Sequence, residues 1–406
     1  MNSESHDPAL PIGTPAATPD STGTDATGPT DSAVASAAPA PTGATDRRGP
    51  LKVGDKVQLM DPKGHYHTVV LHRSEVFHTH KGQVRHDDLI GRPEGIVVEN
   101  DGGVAYQVFR PLLEDFVLSM PRGAAVVYPK DAAHIVTMAD IFPGATVVEA
   151  GLGSGALSLS LLRAVGDHGL VHSFERREEF ATIAAGNIRD FFGGEHPAHR
   201  LTVGDLVEEL PQAFAPGTVD RVVLDMLAPW ETLEAVATAL APGGVVMCYV
   251  ATATQLSRTA EAMKASGHFT DPTAFESMIR GWHLEGLAVR PEHRMVGHSG
   301  FLIMARRYAP GQTPIEKKKR PQAAEPKPED RAAWEGGEIT EDSLGMRKPT
   351  PKKLRRVIRE VGKRERAVDK AGDADTPQDP APEAPNAPEA PHTPHTSPED
   401  SPQEDR

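Results

Sequence analysis

Residues 146–155 read Thr-Val-Val-Glu-Ala-Gly-Leu-Gly-Ser-Gly, and they narrow the possible folds more than any other stretch of the chain. An apolar β run, Thr146 to Val148, enters a turn carrying Gly151, Gly153 and Gly155, and a helix-like run from Ala156 to Val165 leaves it. Glycine reaches positive φ without steric cost and lets a ligand approach the main chain, while the start of a helix presents unpaired N–H groups. Strand, glycine turn and helix in that order form one unit of a nucleotide-binding α/β sheet.

The residues around this unit extend the pattern. Strand candidates lie at 146–150, 170–175, 201–203, 220–225 and 244–250, with later ones near 283–289 and 300–306; helix candidates lie at 131–140, 156–165, 178–191, 231–240 and 254–266. Alternation of this kind predicts a doubly wound, mainly parallel sheet over residues 125–309. Ahead of it, residues 50–118 hold short β runs separated by Asp61-Pro62-Lys63-Gly64 and Asn100-Asp101-Gly102-Gly103, which predicts a small β domain, barrel or sandwich.

The net charge of −14 would argue against a polyanionic partner if it were spread evenly. It is not. Residues 1–46 carry −6 and residues 371–406 carry −8, so the chain between them is neutral. Both segments are built from small residues, proline and acids, and they bury too little apolar surface to offset the entropy of ordering, so both are expected to be disordered. The rest of the tail, 310–406, is expected to be largely disordered too, apart from residues 347–366. That segment holds ten bases against Glu360 and Glu365, with Leu354, Val357, Ile358 and Val361 at helical spacing. It reads as a basic amphipathic helix, either an ordinary solvated run or an accessory RNA-binding arm. The single cysteine, Cys248, excludes an intrachain disulfide. No window is long and apolar enough to span a bilayer, so a cytoplasmic location is expected.

Three acids end three successive strand candidates: Glu175, Asp205 and Asp225. Ligands of open α/β sheets bind beyond the carboxyl ends of the strands, so all three face the same crevice. Glu175 suits the two hydroxyls of a ribose. Asp205 suits an adenine amine, with Leu206 beside the ring, or else it caps the following helix. A dinucleotide is not excluded by Gly151, Gly153 and Ala156, but a pyrophosphate is ill served by a cluster of carboxylates. S-adenosyl-L-methionine, with a sulfonium cation, a ribose and an adenine, fits the acids better than NAD does.

At these residues the chain resembles the tRNA (adenine-N1)-methyltransferases of the class I type, which modify adenosine 58 in the T-loop. The elements that match are Tyr128-Pro129-Lys130-Asp131, Glu149 to Gly155, Glu175, Asp205-Leu206, Leu224-Asp225 with Pro229-Trp230, Gln255, Gly297-His298 with Phe301-Leu302, and His78-Thr79-His80-Lys81-Gly82. The resemblance spans roughly 50–309 and is closest to actinobacterial members. It implies a Rossmann-like catalytic domain behind the small β domain, S-adenosyl-L-methionine as cofactor, tRNA as substrate and a homotetramer. It further implies that Val127, together with Ser154, Gly155 and Ala156 of the turn opened by Gly151 and Gly153, lines the methionine part, that Glu175 holds the ribose and Asp205 with Leu206 the adenine, and that Asp225 faces both cofactor and target base. The family often has His or Arg five residues after Glu175, where this chain has Phe180.

The chemistry asked of such a site is modest. N1 of neutral adenine attacks a sulfonium methyl in line, and a carboxylate accepting from the exocyclic amine stabilises the charge that develops on the ring. Asp225 stands where that role requires. Tyr128 and Tyr249 are candidates for contact with an extruded base, Tyr249 being equally a core aromatic. His78 and Lys81 are candidates for contact with tRNA or for fixing the β domain. The histidines at 65, 67, 72, 78, 80 and 86 match no zinc spacing, and no metal is expected. A catalytically silent RNA-binding subunit and a class I methyltransferase with another substrate remain alternatives.

Overall fold

The computed structural model describes residues 48–312, 314–315, 327–335, 339–340 and 348–374. The acidic segment 1–46 lies outside the described residues, as does 371–406 except for residues 371–374, which end a helix.

The N-terminal domain contains β1 (Lys56–Met60), β2 (Tyr66–Val70), β3 (Val76–Thr79), β4 (Gly82–Arg85), β5 (Ile96–Glu99) and β6 (Ala105–Phe109). Four of these form an antiparallel sheet in the order β2-β1-β6-β5, and β3 and β4 pair as a separate hairpin. Val57, Leu59, Leu71, Val84, Leu89 and Val108 form its own small core. A buried arginine, Arg110, closes the domain by pairing with Asp55 (2.7 Å) and Glu94 (3.2 Å).

The chain then forms α1 (Leu113–Ser119), α2 (Pro129–Met138), β7 (Thr146–Ala150), α3 (Ala156–Val165), β8 (Leu170–Glu175), α4 (Glu178–Phe192), β9 (His199–Val203), α5 (Leu206–Ala213), β10 (Val219–Asp225), α6 (Leu233–Ala239), β11 (Leu240–Val250) and α7 (Ala253–Ser266). It continues through β12 (Thr273–Phe275), β13 (Ile279–Glu285), β14 (Ala288–Val296) and β15 (Phe301–Arg306), and ends in α8 (Pro328–Glu335) and α9 (Pro351–Ala374). Seven strands make one sheet in the order β12-β15-β11-β10-β7-β8-β9. β7 to β11 run parallel, β15 is antiparallel to β11, and β12, antiparallel to β15, runs in the direction of the parallel strands. Helices cover both faces, with one core around α2, α3 and α4 and another around α5, α6 and α7.

From β7 the order runs outward on both sides, to β8 on one and β10 on the other. β7 is therefore the switch point, and a crevice opens at its carboxyl end. That geometry fixes the site.

Two expectations are corrected. The strand expected near 283–289 is not in the main sheet: β13 and β14 form their own hairpin, turning at Gly286, whose φ of +54° supplies the positive angle such a turn needs. The basic segment expected within a disordered tail is seated on the catalytic domain: its residues 351–366 lie in a helix that continues to Ala374 and packs on α4, burying Val357 and Val361 against Ile183.

Candidate active site

The turn after β7 is held by its own backbone. Gly151 has φ +84°, and a Cβ there would run into the carbonyl oxygen of Asp225 at the end of β10. Gly153, at φ +55°, donates its N–H to Glu175 Oε2 at 3.0 Å. Gly155, at φ +79°, opens α3 and lies against Ala184 of α4. Asn187 of α4 donates to the carbonyls of Ser154 (2.9 Å) and Pro121 (2.8 Å), tying the turn to the segment that leads to Val127. Val127 and Ala156 are buried beside it. Ser154 is only 2% exposed, yet among the described residues its hydroxyl has no hydrogen-bond partner. A buried hydroxyl left unpaired costs about 1–3 kcal/mol, so a polar ligand group beside it removes a standing penalty.

Three carboxylates converge on this turn. Glu149, 1% exposed, accepts from Ser158 (2.8 Å) and Ser173 (2.7 Å). Burial, with Glu175 nearby, pushes its pKa up to about 7. Asp225 keeps part of its surface open. Burial, then the charges of Glu149 and Glu175, push its pKa up to about 7 as well. Glu175 is buried and anchored by Gly153 on one oxygen and by Arg177 on the other, through the backbone N–H at 3.1 Å and Nε at 3.2 Å. Acids packed this closely disfavour a second anion and favour a cation, which sets a sulfonium above a pyrophosphate as the group the site suits.

Asp205 is the N-cap of α5: Oδ1 accepts from the Val207 N–H at 2.8 Å, and Oδ2 pairs with Arg176. Asp205 thus makes the capping contact. Leu206 is buried in the core beneath, with Phe174 and Leu210. Phe180 is buried too, and the Arg177 guanidinium stacks on its ring at 3.9 Å. The ring at this position therefore orients the arginine that anchors Glu175.

A polar network joins the other side of the crevice. Asp131 is fully buried and accepts from Lys130 (2.7 Å), Ser277 (2.8 Å) and Ser299 (2.6 Å). Ser299 in turn accepts at its carbonyl from the Tyr249 hydroxyl (2.7 Å). Tyr128, at the N-cap of α2, is exposed. His78 and Lys81 lie exposed on the β3–β4 hairpin, where the Lys81 carbonyl accepts from Asn100 at 3.2 Å. Gln255 is a strut: it completes the α7 capping box with Thr252 and donates to the Leu227 carbonyl at 2.9 Å beyond Asp225. Among the described residues, no group of three or more His, Cys, Asp or Glu is placed to hold a metal ion.

Residues 49–98 match the family described as TrmI-like N-terminal, and residues 105–289 match that described as the tRNA methyltransferase complex GCD14 subunit. The tRNA (adenine(58)-N(1))-methyltransferase TrmI of Thermus thermophilus is 39% identical over 251 residues, 62% of this chain and 96% of that one. The chain belongs to the tRNA (adenine(58)-N(1))-methyltransferase family. Among solved structures, a SAM-dependent O-methyltransferase from Thermotoga maritima superposes with a TM-score of 0.60 at 29% identity, covering 66% of this chain and 97% of that one. The tRNA (m1A58) methyltransferase TrmI from Aquifex aeolicus does so with a TM-score of 0.56 at 27% identity, covering 64% and 100%.

Within this methyltransferase fold, two of the three strand-end acids, Glu175 and Asp225, lie at the turn after β7, while Asp205 caps α5. The sequence reading gave no role to Glu149, Ser158 or Ser173, nor to Asn187. Glu149 had a usable signal, an acid inside a strand buried on both faces, which demands partners.

Proposed function

We propose that Asp225 holds the target base while a methyl group passes from S-adenosyl-L-methionine to N1 of adenosine 58 in the T-loop of tRNA. The enzyme class, cofactor and substrate follow from the family and fold neighbours. The residue roles are the proposal, and the observation that supports them is the triad of Glu149, Glu175 and Asp225 around an unpartnered Ser154.

Bound cofactor supplies an electrophilic methyl on a sulfonium. Transfer of that methyl to N1, with the carbon–sulfur electrons left on sulfur, would place the positive charge on the adenine. An ionised Asp225 accepting from the exocyclic amine gains strength along that path, which is differential stabilisation of the transition state. No residue has to remove a proton first. Glu175 takes the ribose hydroxyls. The Ser154 hydroxyl, with Gly151, Gly153, Gly155, Ala156 and Val127, takes the amino-acid part. Asp205, with Leu206 beneath it, borders the adenine. Tyr249, fixed by Ser299, and Tyr128 flank the extruded base, and His78 and Lys81 meet tRNA.

The assembly is a homotetramer in this reading. Its support is the β13–β14 hairpin, which exposes Trp282, Leu284, Leu287 and Val289, an apolar surface that calls for cover. The enzyme acts in the cytoplasm. No described helix is long and apolar enough to cross a membrane.

Mass mapping of a tRNA transcript after incubation with enzyme and cofactor tests the reaction. 1-Methyladenosine at position 58, absent when that position is guanosine, is the expected result; modification elsewhere or none would overturn it.

A further inference from the structure

Helix α9 lies beyond the stretches that match the two families, residues 49–98 and 105–289, and it is firmly seated. Val357 and Val361, 4% and 2% exposed, pack on Ile183 of α4, with Leu354 and Ile358 partly buried at the edges. Gly186 of α4 makes room for it, because a Cβ there would collide with Val361 Cγ1. Ion pairs fasten the flanks: Arg189 with Glu365 at 3.5 Å, and Arg364 with Asp190 at 3.9 Å. Asp190 also pairs with Lys56 of β1, so the helix, the catalytic domain and the β domain share one buried carboxylate.

The remaining charges are sorted by face. At about 100° per residue, Lys352, Arg355, Arg356, Arg359, Lys363 and Arg366 share the arc opposite Leu354, Val357, Ile358 and Val361, and all six are exposed. The one exposed acid of this stretch, Glu360, is bonded to Arg364 at 2.9 Å. The result is an unbroken cationic row about 21 Å long. It starts beside the cofactor half of the site: Leu354 and Phe180 each lie 3.1 Å from where a Cβ on Gly123 would stand, and Phe180 carries the Arg177 that anchors Glu175.

We propose that the outer face of docked α9 is a fixed tRNA-binding surface that grips backbone phosphates of the substrate outside the target loop. The proposal rests on the tRNA reading above. A row with four arginines and no apolar residue among its bases suits a phosphate backbone rather than a bilayer. Its rigidity is the new element, since a seated row loses less entropy on binding than a free tail.

The test uses the full chain and two variants. Arg355→Gln/Arg359→Gln/Lys363→Gln/Arg366→Gln removes four cations and leaves the apolar stripe intact. Val361→Glu keeps every base but puts a charge in the seat. Affinity for tRNA is measured by filter binding across a salt series, together with the single-turnover rate at saturating tRNA. The fourfold variant is expected to bind about ten- to hundredfold more weakly at low salt, with a log–log salt slope shallower by about 2–3 and a saturating rate within about twofold of wild type. Val361→Glu is expected to lose comparable affinity. Wild-type affinity and slope in the fourfold variant overturn the proposal. Weakening there with wild-type binding by Val361→Glu overturns the fixed surface in favour of a loose arm. A wild-type enzyme that neither binds nor methylates tRNA refutes the functional reading instead, so the two failures are distinguishable.

Discussion

A Cβ on Gly151 would collide with the carbonyl oxygen of Asp225, so the first glycine of the turn and the acid closing the neighbouring strand meet backbone to backbone. The parallel register that pairs Ala150 with Leu224 causes this. Gly151→Ala must therefore move Asp225 and also hold a residue at φ +84°, a region that costs a non-glycine residue roughly 1–2 kcal/mol. The expected outcome is a protein that melts several degrees lower and binds cofactor at least about tenfold more weakly. Unchanged calorimetric affinity would show that the close approach is unimportant.

Glu175→Ala removes the acceptor of the Gly153 N–H and of the Arg177 backbone N–H and Nε. Hydrogen bonds to a charged group are worth roughly 1.5–3 kcal/mol. The cofactor dissociation constant should rise about ten- to hundredfold while tRNA affinity stays near wild type. Equal losses for both ligands would point to a folding defect.

Asp225 and Glu149, both pushed to about 7, make cofactor binding depend on pH. A cation beside them favours their ionised forms, so affinity should increase as pH rises from 6 to 8, with proton release on binding near pH 7. Stability runs the other way. The folded protein holds protons that the unfolded chain releases near its ordinary carboxylate values, so cofactor-free stability should fall between about pH 4 and 7 and level off above. Glu149→Gln should flatten that fall, raise the melting temperature at pH 8 and weaken cofactor binding. A melting temperature independent of pH in the wild type would contradict the shifts.

Asp131→Ala leaves the Lys130 ammonium buried without its carboxylate and releases Ser277 and Ser299. Breaking a buried pair from one side costs about 3–5 kcal/mol. The melting temperature should drop by about 6–20 °C for a domain of this size. Because Ser299 also holds Tyr249, the methylation rate should fall further than the folded fraction does. A drop of less than a degree or two would remove the network from the account.

The strands that carry the site were legible because their apolar runs and terminal acids are local signals. The expected 146–150 and 170–175 coincide with Thr146–Ala150 and Leu170–Glu175, and the expected helix 156–165 with Ala156–Val165. What stayed hidden depends on partners distant in sequence. The sequence around Asp205 suits either a ligand-facing acid or a cap, and only the position of Val207 shows that it caps. The hairpin β13–β14 has ordinary strand composition, and nothing local says that it pairs with itself instead of joining β11. α5 was missed because it is short and contains Pro211. The seat of α9 needed the face of α4, where Ile183 and Gly186 leave a groove that no periodicity in residues 347–366 reveals.

The most direct test of the account is the single-turnover rate of Asp225→Ala on bound tRNA, read as 1-methyladenosine at position 58 with saturating cofactor. Removal of one preorganised electrostatic contact to the charge that develops in the transition state costs about 10²–10³ in rate. The account predicts a loss of that size with tRNA affinity within about threefold of wild type. A near-wild-type rate, or a loss explained wholly by weaker tRNA binding, would contradict the role assigned to Asp225.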